Sequence, residues 1–271
     1  MITRNLLFNI SHNYFVCAVI LMVFTLTSCE KVIDADLSRA DAVIVIEGSI
    51  SDQSEVQTIK VSKTIAFDQS NKFNGVKDAK VTIYSSNNQT FVFTASSDGI
   101  YQSQRFRGLV GVNYILEVVT EGKTYKANSI MPAAVKPDSI TFKKLSFFGN
   151  SKIYPAIHYK DPAGIQNQYR YILKINGKLT AEQVSEDRFS DGNATSDLLT
   201  FDGDGVESGD KVDIEIQCID RNVFKYYFAI SQIDGNGGPP VAPSNPDNNL
   251  NNGALGIFSA NTRATYTITK K

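Results

Sequence analysis

The stretch NYILEVVTEGKTYKANSIMP, residues 113–132, decides the fold class of this chain. Apolar and polar residues alternate on both sides of Glu121-Gly122, a period of two that is typical of β-strands with one buried face. Glycine readily adopts the positive φ that a two-residue turn between antiparallel strands requires. The stretch is therefore predicted to be a β-hairpin.

Similar short runs, rich in β-branched and aromatic residues, precede this hairpin. They are AVIVIEGSI (42–50), AKVTIYS (79–85) and QTFVFTA (89–95), and turn residues separate the later ones. Short strands at this spacing, with no long helical pattern between them, are typical of a β-sandwich. We therefore predict an N-terminal β-sandwich over residues 41–132.

A second strand-rich region follows a proline-containing linker at 133–138. Its alternating runs lie at 139–148, 152–160, 168–177, 196–203, 210–219 and 262–271. The segment NVFKYYFAISQI differs, because its apolar residues repeat at steps of three and four, which predicts a short amphipathic helix near 222–233. The predicted fold is all-β, with two consecutive β-sandwich domains (Ig/transthyretin-like), the second at 139–271 and carrying the helix.

The N-terminus has the pattern of an export signal over residues 1–28. Arg4 precedes a continuous apolar segment at 14–26, which is shorter than the roughly 20 residues of a membrane-spanning helix. The order Leu26-Thr27-Ser28-Cys29 resembles the bacterial lipobox. It predicts that Cys29 carries covalent lipid and that residues 29–40 form a tether, whereas a plain signal or a short anchor is the alternative.

Composition and the remaining reactive residues limit the chemistry. A formal net charge of −1 offers no basic surface for nucleic acid. Cys218 lies on the apolar face of DKVDIEIQCI (210–219) and is predicted to be a buried, inert thiol. His158 is the only histidine after Cys29, so a histidine-based zinc site is excluded and a half-buried structural role is expected. We therefore predict no enzyme and no cofactor apart from the lipid.

The segment FDGDGVESGD (201–210) is the best metal candidate in the sequence. Asp202, Asp204, Glu207 and Asp210 supply the hard oxygen ligands that calcium prefers. Val206 occupies a position where the EF-hand pattern needs a ligand, and Asp and Gly are also common in turns. We expect an ordinary strand-to-strand turn, with calcium binding as the alternative.

The segment GNGGPPVAPSNPDNNLNNG forms a predicted long loop at 235–253. Loops of this length are usually functional or disordered. Two interpretations compete: an ordered excursion whose asparagines bind a ligand or partner, or a connector between the helix and the last strands. The first is favoured because an apolar segment follows directly. Its candidate binding residues are Asn245, Asn249, Asn251 and Asn252.

Four segments together carry a family resemblance: SCEKVIDADL, VIEGSISDQ, the 113–132 hairpin and NPDNNLNNGALGIFSA. They resemble the family catalogued as domain of unknown function 4249, which consists of outer-membrane lipoproteins of Bacteroidetes-type bacteria, often encoded beside TonB-dependent receptors. The resemblance implies a lipid-anchored outer-membrane protein that acts as a non-enzymatic accessory of such a receptor in nutrient uptake. A structural or adhesive envelope protein without a small ligand is the alternative.

Overall fold

The computed structural model describes residues 41–66, 72–147, 149–188, 191–233 and 245–271. The predicted signal, Cys29, the tether and residues 235–244 of the long loop lie outside these ranges. The described strands are β1 (Ile44–Ser51), β2 (Glu55–Lys63), β3 (Lys80–Ser85), β4 (Thr90–Ser97), β5 (Ile100–Phe106), β6 (Asn113–Thr120), β7 (Lys123–Ile130), β8 (Ser139–Phe147), β9 (Asn150–Lys160), β10 (Gln168–Ile175), β11 (Lys178–Glu186), β12 (Ala194–Leu198), β13 (Lys211–Ile219) and β14 (Leu255–Thr269). Helix α1 spans Arg221–Ile233. The predicted all-β class with a short helix is confirmed.

The 113–132 hairpin forms as predicted. Strands β6 and β7 pair antiparallel in a register that places Thr120 opposite Lys123. Glu121 and Gly122 both have positive φ, at 51° and 73°. Two positive φ values in a two-residue loop match the right-handed twist of the flanking strands, so the local sequence fixes this turn.

The strands form one long ladder and one small sheet. Eleven strands hydrogen-bond in the order β11-β10-β13-β14-β1-β2-β5-β4-β3-β6-β7, and three more in the order β12-β9-β8. The first core is built by β1 to β7 with the first half of β14, around Ile46, Tyr114 and Phe258. The second core lies between the small sheet and the β10–β13 part of the ladder, around Tyr159, Tyr171 and Ile214.

Strand β14 belongs to both halves of the molecule. Residues 255–261 pair in parallel with β1, and residues 262–269 pair antiparallel with β13. Gly256 permits the close approach to β1, because a Cβ there would lie 2.1 Å from the carbonyl oxygen of Ile46. The chain from Asp41 to Lys271 accordingly forms one compact unit with two large cores. The sequence did not indicate that one strand would contribute to both.

Three strands lacked a clear sequence signal, and one begins earlier than predicted. Strands β2, β5 and β11 carry many polar residues and were not predicted from the alternation of apolar and polar residues. The terminal strand begins at Leu255, seven residues before the predicted Thr262, because the segment after the asparagines pairs with β1. A two-residue period is weak where both strand faces are partly polar.

Helix α1 begins at a capping carboxylate and packs on a small third core. Asp220 Oδ1 accepts hydrogen bonds from the amides of Asn222 and Val223 at 2.8 and 3.1 Å, which is the geometry of an N-cap. Val223 and Phe224 pack with residues Ile219 and Ile257 of the neighbouring strands. The predicted helix is confirmed. Within the described ranges, the structure has no helix whose length and apolarity would let it cross a membrane.

Candidate functional site

A groove of about 310 Å³ lies between helix α1 and strand β11. Aliphatic and aromatic side chains from both elements make up much of its wall. These are Leu179, Ala181, Val184, Tyr227 and Ile230. Leu179 is 52% exposed, so a large apolar side chain faces solvent beside the groove. Concave apolar surfaces with a few polar groups are the usual form of binding sites.

Arg170 is the main polar group of the groove and is held from three sides. One terminal nitrogen lies 2.5 Å from Glu182 Oε2, and the other donates to Gln217 Oε1 at 3.1 Å. The guanidinium carbon lies 4.1 Å from the centre of the Tyr227 ring, a cation–π arrangement. Burial raises the pKa of Tyr227, and Arg170 opposes that rise. The groove therefore has a fixed positive group against an aromatic wall.

Strand β11 also presents a sheet edge beside this groove. It ends the long ladder and pairs there only with β10. On the same strand, Gln183 Nε2 donates to the backbone oxygen of Thr200 at 2.6 Å. An edge strand carries backbone donors and acceptors that an extended peptide can pair with. An apolar groove and a strand edge therefore lie on the same element.

The asparagines predicted as ligand contacts bind other parts of this chain. Asn251 exchanges two hydrogen bonds with the backbone of Lys126 on β7, and Asn252 Nδ2 donates to Thr124 O at 2.7 Å. Leu250 forms a bridge with Ala127 of the same strand. Asn245 is exposed. The segment thus covers the edge strand β7, which is one way that proteins protect sheet edges.

Asn249 connects the two strands that close the first core. Its Nδ2 donates to Asn128 O on β7 at 3.0 Å and to Phe258 O on β14 at 2.7 Å, and its Oδ1 accepts from the Phe258 amide at 3.1 Å. Ser129 Oγ accepts from the Ala260 amide at 2.8 Å along the same seam. The side-chain amide thus substitutes for missing backbone pairing between β7 and β14. This structural role was not predicted from the sequence.

The predicted calcium ligands of the 201–210 loop do not converge. Asp210 instead accepts hydrogen bonds from the Glu207 amide and from Asn176 Nδ2, both at 2.8 Å, and these lower its pKa. Asp202 and Asp204 are exposed. Val206 is buried in the second core, which explains the apolar residue at a position where a ligand would be needed. The geometry here is that of the expected turn.

A different group of carboxylates comes together among the described residues. Oxygen atoms of Asp161, Asp187 and Asp191 all lie within 4.8 Å of one another. Asp161 is 26 residues before Asp187 in the sequence, so sequence reasoning missed the group. The one local signal is DRFSDG (187–192), in which two aspartates are four residues apart and a turn glycine follows.

Cys218 and His158, the two residues considered as possible reactive groups, lie in the environments predicted for them. Cys218 is a free, buried thiol whose Sγ accepts from the Val135 amide at 3.3 Å, and burial raises its pKa. A thiol that is hard to deprotonate is a poor nucleophile. His158 is half-buried, and its Nε2 lies 2.7 Å from Thr141 Oγ1.

Among the known structures that are similar to this chain, two distant ones illustrate the likeness. A two-domain fibronectin type-III segment from chicken tenascin is 14% identical, with 66% of this chain and 91% of that chain covered and a TM-score of 0.23. The Yersinia pseudotuberculosis adhesin InvE is 13% identical, with 65% and 55% covered and a TM-score of 0.21. No curated protein matches the chain.

Comparison with protein families gives a match over nearly the whole chain. The family model described as "Domain of unknown function (DUF4249)" matches residues 30–267. The matched region includes the helix, residues 245–253 and every described strand apart from the last two residues of β14. The chain therefore belongs to the family of domain of unknown function DUF4249.

Proposed function

We propose that the protein is a non-enzymatic binding lipoprotein of the outer membrane that serves as an accessory subunit of a TonB-dependent receptor system for nutrient uptake. The lipobox-like Leu26-Thr27-Ser28-Cys29 supports the membrane anchor. A protein held on a membrane surface meets partners there at high effective concentration, so that modest contacts are sufficient.

The observation that carries the binding role is the groove between α1 and β11. Leu179 borders it at 52% exposure, and α1 exposes Phe228 at 49% and Ile233 at 54%. Full burial of such a side chain contributes about 1.5–3 kcal/mol, so that covering the exposed half of each gives roughly 1 kcal/mol. Three such side chains and the nearby strand edge provide enough contact for a partner on the same membrane.

Leu179→Asp tests this proposal, because the substitution adds a charge to a wall position that is already half exposed. Val92→Asp is the matched control, since Val92 is an aliphatic strand residue at 59% exposure in the other half of the molecule. The full chain with a C-terminal affinity tag is expressed in its native host and purified in mild detergent, and co-purifying proteins are identified by mass spectrometry.

The wild-type chain and the Val92→Asp variant are expected to recover a large β-barrel receptor, and the Leu179→Asp variant to lose most of it at unchanged thermal stability. Equal recovery by both variants would place the contact elsewhere on the molecule. Recovery of no barrel protein by the wild type would refute the accessory role and favour the structural or adhesive alternative.

A further inference from the structure

Two loops of the second half, the β9–β10 loop and the β11–β12 loop, meet at one end of its sandwich. Asp161 follows β9, Asp187 follows β11, and Asp191 precedes β12. Their carboxylate oxygens lie within 4.8 Å of one another. Asp161 is 1% exposed and Asp187 is 5% exposed, whereas Asp191 lies at the surface. The group therefore extends from the interior to solvent.

Asp161 has an oxygen atom without a hydrogen-bond partner. Its Oδ1 accepts from the Tyr169 hydroxyl at 3.0 Å, whereas its Oδ2 is buried and accepts no hydrogen bond. A buried polar atom left unpaired costs about 1–3 kcal/mol, and more when it is charged. Asp161 is the most buried of the three aspartates, so an oxygen without a hydrogen-bond partner among the described residues lies at the innermost position of the group.

The charges that act on Asp161 are negative. The carboxylates of Asp187 and Asp191 lie beside it, whereas the Tyr169 hydroxyl that donates to it is neutral. Two arginines border the adjacent cavity, and each contacts another residue that lines it. Arg188 pairs with Glu186 at 2.7 Å, and Arg221 donates to Gln166 at 3.1 Å. A bound cation would balance this excess of negative charge.

We propose that Asp161, Asp187 and Asp191 bind one Ca²⁺ ion. Calcium takes oxygen ligands at 2.3–2.6 Å, so two ligands of one ion lie at most about 5 Å apart, and the carboxylate oxygens satisfy this limit. An adjacent cavity of about 350 Å³, lined by Asp187 and Asp191, leaves room for the waters that complete six to eight ligands. Mg²⁺ demands a smaller, nearly ideal octahedral site and is not the expected ion.

Backbone amides hold the outer two carboxylates in place. The Asn167 amide donates to Asp187 Oδ2 at 2.9 Å, and the Gly164 amide donates to Asp191 Oδ1 at 2.7 Å. The ion would connect the β9–β12 side of the small sheet with the end of β11 on the long ladder. It would therefore cross-link the two layers around the second core.

The test is a calcium titration of the full chain, purified in neutral detergent and freed of metal with EGTA. Calorimetry is expected to detect Ca²⁺ binding. Thermal unfolding by circular dichroism is expected to shift upward by about 5–10 °C at 100 times the dissociation constant. The absence of both binding heat and thermal shift would overturn the proposal, and an equal shift with Mg²⁺ would overturn the assignment to calcium.

Asp191→Asn and Asp204→Asn form a matched pair of variants. Asp191→Asn keeps an oxygen for the Gly164 amide but removes one ligand charge, so that Ca²⁺ binding should weaken at least tenfold. Asp204→Asn changes an exposed aspartate of the 201–210 loop and should leave the wild-type response intact. Equal calcium responses of the two variants would refute the site.

Asp161→Asn provides a signature that a purely structural role would not give. The substitution removes a buried negative charge while keeping the shape of the side chain. In EGTA the variant is expected to unfold at a higher temperature than the wild type, and Ca²⁺ is expected to have no further effect. A wild-type calcium shift in this variant would contradict the proposal, and Asp191→Asn decides the question if Asp161→Asn fails to fold.

Discussion

Asn249→Ala tests whether the asparagine segment closes the first core or contacts a partner. The substitution removes three hydrogen bonds, two to Phe258 of β14 and one to Asn128 of β7, at 2.7–3.1 Å. Phe258 is fully buried, so its amide and carbonyl lose the partner that Asn249 supplies on this side of β14. The seam between β7 and β14 would then open.

The expected loss follows from the number and burial of these bonds. A typical hydrogen bond contributes about 1 kcal/mol net, and a buried group left without a partner costs about 1–3 kcal/mol. Because water can reach the Asn128 side, we expect a loss of roughly 2–4 kcal/mol in the free energy of unfolding. For a unit of this size the melting temperature should fall by about 5–15 °C.

Far-UV circular dichroism is the appropriate measurement, because the chain has no tryptophan. Asn245→Ala is the first control, since this residue is exposed and such substitutions usually change stability by less than about 0.5 kcal/mol. Asn252→Ala removes one exposed bond to Thr124 and places alanine at a positive φ of 54°, so it should cost about 1–2 kcal/mol. If Asn249→Ala has the same melting temperature as the Asn245→Ala control, the structural role of Asn249 between β7 and β14 is refuted. Loss of receptor co-purification at unchanged stability would favour a partner contact instead.

Four further predictions follow from single positions. Asp220→Ala should lower the free energy of urea unfolding by about 1–2 kcal/mol, because α1 loses its cap and Ser129 Oγ loses the carboxylate oxygen to which it donates, whereas Asp220→Asn should retain the cap. Gly256→Ala should lower it by more than about 2 kcal/mol, because a Cβ there meets a β1 backbone oxygen at 2.1 Å, unlike Gly111→Ala, which has positive φ but open space around it. Cys29→Ser should abolish the lipid mass on the N-terminal peptide and leave a soluble or uncleaved chain. Burial raises the pKa of Asp161, so the folded protein binds a proton there more tightly than the unfolded chain does; its stability should therefore fall as pH rises from about 4 through that raised pKa, and Asp161→Asn should flatten this dependence in a thermal melt.

Local patterns were sufficient for the fold class and for several elements. The hairpin at 113–132, the helix at Arg221–Ile233 and the buried Cys218 depend on the order of neighbouring residues, because strand and helix periods repeat within a few positions. The strands β2, β5 and β11 were missed for the same reason. Their faces are too mixed for a short window to reveal a period.

The candidate sites required the tertiary structure because their contacts are distant in sequence. Asn249 hydrogen-bonds to Asn128, which is 121 positions away in sequence. Because such a contact is not visible in the sequence, the asparagine-rich segment was interpreted as a ligand-binding loop, although it covers the edge of a sheet. The 201–210 carboxylates are neighbours in sequence, yet they are not among the described carboxylates that come together, and Val206 between them is buried in the second core.

What the sequence by itself determined is therefore the kind of element at each place, since periodicity, turn residues and apolar spacing act over a few residues. Only the tertiary structure decided that β14 completes both halves, that an asparagine side chain closes the first core, and that three aspartates from two loops meet. The physical reason is that strand pairing and the convergence of side chains depend on which distant segments the tertiary arrangement of the strands brings together. Hydrogen bonds between residues more than a hundred positions apart leave no periodic trace in the sequence.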